Sequence, residues 1–155
     1  MIIVKLRYIF TLVILIAVIH TMAVFFRLYE KNVGIDIPQH ILAGITLGLI
    51  WLYVLQENES AKIKMSGDLL LGISIVCAAL FGGILWELGE LSLLKFLPDY
   101  AYMLKLYSLT LAEAASDVLA GAIGGIIVAA LVLCKIKSKY THHPPLPKKD
   151  LYAFY

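Results

Sequence analysis

Four stretches of this chain are each long and apolar enough to cross a lipid bilayer, and that repetition limits the possible folds more than any other feature. The hydrocarbon layer is about 30 Å thick, and a helix rising about 1.5 Å per residue needs about 20 mostly apolar residues to span it. The first stretch is YIFTLVILIAVIHTMAVFF, residues 8–26; the others cover 37–56, 69–89 and 111–134. The chain has 155 residues, 61% of them hydrophobic and 15% charged. One small soluble domain cannot bury that much apolar surface, so lipid must cover part of it. Inside lipid every backbone N–H and C=O must be paired within its own segment, which makes each stretch a helix. The predicted fold is therefore all-α. It is a polytopic membrane protein, a four-transmembrane-helix bundle with an interfacial apolar-aromatic segment between the third and fourth spans.

Residues 1–135 are expected to form the transmembrane domain, and 136–155 a flexible, basic, proline-containing tail. Lys5 and Arg7 resemble the head of a signal peptide, but the apolar run behind them is too long and no small-residue cleavage site follows. Lys5, Arg7, Lys62, Lys64 and the five lysines after Cys134 give nine cations on one side, against Arg27, Lys31, Lys95 and Lys105, four, on the other. The side richer in Lys and Arg is the cytoplasmic one, which predicts a multi-pass protein of the plasma or inner membrane with both termini in the cytoplasm. A scattered net charge of +2 argues against a nucleic-acid partner. Cys77 and Cys134 lie in apolar stretches and suggest no disulfide framework. His142 and His143 read as solvated tail residues, and Trp51 and Trp86 as anchors at opposite membrane faces.

With that topology, ionisable residues from three spans reach the same, outer end of the bundle. Asp36 and His40 open the second span one turn apart; Glu87 and Glu90 close the third; Glu113 and Asp117 open the fourth. His20 lies in the outer half of the first span. Gly44 and Gly48 continue the stripe of Asp36 and His40, Gly121 and Gly125 continue that of Glu113 and Asp117, and Gly83 precedes Glu87 by one turn. Glycines at this spacing let helix backbones approach, so the acidic stripes are expected to face each other and not lipid. The glycine faces suit packing within one chain or between two copies of it.

The segments DIPQH, WELGE and EAASDVLAGAIG together resemble the YjdF-type bacterial inner-membrane proteins, relatives of the VanZ-like group. The matching positions are Asp36 with His40, Glu87 with Glu90, and Glu113 with Asp117 and Gly124, and the resemblance covers residues 8–135. Glu113 stands where the pattern more usually has Asp, Gly121 where VanZ-like members often carry Asn, and four spans are fewer than YjdF-type proteins often have. The resemblance implies a cell-envelope membrane protein and brings no settled reaction with it.

Three readings of the polar cluster follow. It can be a structural network fixing helix register. It can hold a divalent cation such as Mn²⁺, Mg²⁺ or Zn²⁺, with His40, Glu87 and Asp117 as first ligands and Asp36, Glu90 and Glu113 around them, acting on an envelope lipid or lipid-linked head group. It can also be a proton or ion pathway, although no proline breaks the interior of any span. Ser74 and Ser116 lack the setting of a catalytic nucleophile. Tyr100, Tyr102 and Tyr107 read as interface residues above the cluster.

Overall fold

The computed structural model describes residues 4–31, 34–58, 67–106 and 110–142, all of them helical or connecting. In chain order the helices are α1 (Leu6–Phe25), the single turn α2 (Leu28–Lys31), α3 (Ile37–Glu57), α4 (Asp68–Phe96), α5 (Pro98–Leu104) and α6 (Leu111–His142). Four of them, α1, α3, α4 and the 111–136 part of α6, are long and apolar enough to cross a membrane, as the four hydrophobic stretches predict. Tyr107 lies outside the described residues.

Two helices run past their expected ends. α4 continues through LSLLKF to Phe96, because leucine and lysine are good helix formers and nothing breaks the chain before Pro98. Pro98 then starts α5, its missing N–H costing nothing in a first turn. The predicted interfacial link is thus two further helical turns of α4 followed by a short separate helix. α6 likewise runs through His142, past the expected start of the tail at 136. Its lysine-rich end propagates helix well, and the first proline comes only at 144.

The chain turns sharply between α1 and α3. Arg27 sits at φ +54° and Gly34 at φ +86°, a conformation glycine adopts at no steric cost. Pro38 falls in the first turn of α3, where its fixed φ suits the helix.

α6 is the central strut. It packs along both α3 and α4, while α1 packs mainly on α3. Half of the most apolar window of α6 is buried, against 11% for α1, so α1 is the helix most surrounded by lipid. The core joins Leu52 of α3 and Ile75 of α4 with Val128, Ala129 and Val132 of α6. Lipid tails are as apolar as leucine, so helix association here depends on close packing. The sequence provides it where α3 meets α6: a Cβ on Gly44 would run into the Gly121 carbonyl oxygen, and one on Gly124 into the Ile41 carbonyl oxygen. A Cβ on Gly125 would come within 2.7 Å of that of Ala79 on α4. Gly48 packs against Ile75 and Val128, whereas Gly83 has ordinary room beside Val118. Within one chain, then, the predicted glycine stripes already have partners.

Polar ties fix both ends of α1 on α3. The Val4 N–H donates to Gln56 Oε1 at 3.2 Å at one end, and a chain of side-chain bonds closes the other. Trp51, expected as an interface anchor, instead points into the bundle and donates its Nε1–H to Ser74 Oγ at 3.0 Å. Its indole therefore bridges α3 and α4.

Candidate functional site

The close approach of α3 and α6 at Gly44 and Gly121 determines what lies one turn away. His40 precedes Gly44 by four residues, and Asp117 precedes Gly121 by four. Their side chains meet, with His40 Nε2 3.8 Å from Asp117 Oδ2. Asp117 is 4% exposed and His40 19%, so the pair is screened from solvent. Asp36 completes the group. It stands at the N-cap of α3 without capping its own helix. Its carboxylate, His40 and Asp117 each offer a ligand atom, and these atoms lie within 4.8 Å of one another.

This donor set fits a small divalent cation. Metal–oxygen and metal–nitrogen bonds of about 2.0–2.2 Å place neighbouring donors about 3.0–3.6 Å apart. The three donors must therefore draw together by about 1 Å to share one cation. Two carboxylates and one imidazole favour Mn²⁺ or Zn²⁺ over Mg²⁺, which prefers oxygen and retained water.

The other acidic residues expected here lie around the triad. Glu87 is 7% exposed, and its charge, with that of Asp36, acts on the His40 ring. Glu90 interacts electrostatically with Glu87, Asp117 and Asp36, and accepts a 2.7 Å bond from Trp86 Nε1. Glu113 acts on Asp117 from one turn earlier on α6. Asp36, not Glu87, thus joins His40 and Asp117 in the closest group. The reason is local: Asp36 has helical backbone angles and stands one turn before His40 on the same face of α3.

Beside the triad lies a hydrogen-bond chain that the sequence reading did not anticipate. Tyr29, on α2, has its hydroxyl 2.7 Å from His20 Nδ1 and accepts from Gln39 Nε2 at 2.8 Å. The other ring nitrogen, His20 Nε2, is 3.0 Å from the Leu104 carbonyl at the end of α5. Burial pushes the Tyr29 phenol above its ordinary value; the Gln39 bond opposes this, while the nearby Asp36 and Glu90 carboxylates add to it. His20 was visible in the sequence as a polar residue in the first span. Tyr29 was hidden in a short polar connector, and Gln39 beside the more conspicuous His40.

The match to known proteins agrees with this architecture and goes no further. Neither the curated proteins nor the solved structures include a match to the chain. A family model described as "Predicted membrane protein (DUF2238)" matches residues 3–138, which include all four spans and every residue of the cluster. The chain belongs to this DUF2238 family of membrane proteins.

Proposed function

We propose that this protein holds a divalent cation between Asp36, His40 and Asp117 and uses it to bind, or to hydrolyse, an envelope lipid or lipid-linked head group. One observation carries the reading: three ligand atoms from two helices lie within 4.8 Å of one another at one end of a membrane bundle. A cation there offsets the repulsion among the carboxylates of Asp36, Glu87, Glu90 and Asp117. Such a cation supplies Lewis-acid chemistry toward a phosphate oxygen or a water. Glu87 and Glu90 then serve as surrounding acceptors that orient water or a head-group hydroxyl. The excess of Lys and Arg on the opposite side supports an outward-facing site in the plasma or inner membrane, with both termini cytoplasmic. The kinship with YjdF-type and VanZ-like proteins belongs to the same proposal.

The test is metal analysis of protein purified in detergent, wild type against Asp117→Asn. The proposal expects about one Mn²⁺ or Zn²⁺ per chain in the wild type and loss of that metal in the variant. Wild-type protein with no bound metal and no thermal stabilisation by added Mn²⁺ or Zn²⁺ would refute it.

A second reading has its own observation. The His40–Asp117 pair sits one turn from the Gly44–Gly121 contact, where an ion pair fixes the register of α3 against α6. Under that reading the cluster is structural, and Asp117→Asn lowers stability without changing metal content.

A further inference from the structure

Two of the three candidate cation donors, Asp36 and His40, stand on the first turn of α3, and that turn has no side-chain cap. Asp36 makes no cap bond, and Pro38 brings no N–H. The Gln39 and His40 N–H groups both donate to the Asp36 carbonyl, at 2.7 and 3.0 Å. Helix ends fray when little else holds them. Asp117, by contrast, lies inside α6, the span with the largest buried share. The geometry of the donor group therefore depends on what steadies the start of α3.

Support comes from α1 and α2. Gln39, between Pro38 and His40, is 8% exposed, and its amide donates to the Tyr29 hydroxyl at 2.8 Å. That hydroxyl is 2.7 Å from His20 Nδ1, and His20 Nε2 is 3.0 Å from the Leu104 carbonyl. A carbonyl only accepts, so in the neutral ring Nε2 carries the proton and Nδ1 accepts from Tyr29. The single hydroxyl proton is then used, and the Tyr29 oxygen takes its other hydrogen bond from Gln39. The chain runs one way, from Gln39 through Tyr29 and His20 to Leu104. The Asp36 and Glu90 carboxylates act on the Tyr29 phenol, so the chain borders the donor group.

We infer that Gln39, Tyr29 and His20 are positioning residues for the cation site: through the Gln39 amide they hold the first turn of α3 so that Asp36 and His40 both face Asp117. The turn is thus held from two sides, by this chain on α1 and α2 and by the glycine contact on α6. The metal half of the inference rests on the cation reading above; the hold on the turn rests on the hydrogen bonds alone. Loss of a partner that orients metal ligands weakens metal binding about 10–100-fold.

A matched control is built into the fold. The Val4 N–H bond to Gln56 Oε1, at 3.2 Å, also ties α1 to α3, but at the other end of both helices. The test uses the full chain in lipid nanodiscs and compares the wild type with Tyr29→Phe, Gln39→Met and Gln56→Met. Mn²⁺ affinity is read from the electron paramagnetic resonance signal of free Mn²⁺, and backbone hydrogen exchange is followed over residues 37–42. Tyr29→Phe and Gln39→Met are expected to weaken Mn²⁺ binding about tenfold and to speed exchange in that segment several-fold. Gln56→Met is expected to leave both within about twofold. Unchanged Mn²⁺ affinity in Tyr29→Phe and Gln39→Met overturns the positioning role, and so does an equal loss in Gln56→Met, which marks any α1–α3 tie as sufficient. Exchange equal to wild type in both variants overturns the hold on the turn. A wild type that binds no Mn²⁺ overturns the cation reading and the positioning role with it, while the exchange rates still decide whether the chain holds the turn.

Discussion

His40 and Asp117 face each other across the α3–α6 seam at 3.8 Å, one turn from a place where the two helix backbones touch without side chains between them. The ion pair and the backbone contact depend on each other: neither side chain reaches its partner unless the helices come this close. Asp117 is almost wholly buried, so removing its partner leaves a charge with little solvent to receive it.

Asp117→Asn is therefore expected to weaken Mn²⁺ binding by at least about tenfold. It should also abolish the rise in melting temperature that the cation reading expects of the wild type with Mn²⁺. Glu113→Gln, one turn away and outside the triad, should change binding far less. Thermal shift with and without Mn²⁺ distinguishes the two.

Packing at the seam predicts a sharp contrast among glycines. Gly124→Ala puts a methyl group against the Ile41 carbonyl and the Ile45 N–H, backbone that cannot yield, and should cost about 1–3 kcal/mol or more. Gly89→Ala meets nothing within 4 Å and should be neutral or stabilising by up to about 1 kcal/mol through helix propensity. Reversible unfolding in mixed micelles measures both.

Tyr29 predicts an alkaline limb in stability. Its phenol is raised by burial, so the folded state holds the proton more tightly than the unfolded one. That contribution is complete below the unfolded value of about 10 and is lost as pH rises through the folded value. The wild type should lose stability in that window more steeply than Tyr29→Phe, as chemical denaturation at stepped pH will show. At neutral pH the same substitution should cost about 1–2 kcal/mol, because it takes the Tyr29 hydroxyl away from His20 Nδ1 and Gln39 Nε2.

Orientation has a direct check. A single cysteine at Asp99, in a Cys77→Ser/Cys134→Ser background, should react with an impermeant maleimide added outside intact cells. Labelling only after lysis would place this end of the bundle in the cytoplasm.

The spans were legible because lipid imposes one rule on every backbone polar group, and four apolar runs obey it. The meeting of α3 and α6 was legible for a related reason: Gly44 and Gly121 lie on the same stripes as His40 and Asp117. The place of Glu87 outside the closest group was not, since it depends on how α4 is rotated and shifted against α3 and α6, which spacing within one helix does not carry. Trp51 misled because an indole is amphipathic, and only the presence of Ser74 on the neighbouring α4 decides whether its N–H faces water or protein. The bond from His20 to Leu104 was invisible because it uses a main-chain carbonyl, which every residue possesses.

The glycine seam has a mechanical consequence. Bilayers differ in thickness and curvature, and peripheral helices answer by tilting. α3 and α6, pressed backbone to backbone, respond as a single stiff beam, and Asp36, His40 and Asp117 are all mounted on it. Changes in lipid composition should thus be absorbed by α1, leaving the spacing of these three side chains insulated from the mechanics of the surrounding membrane.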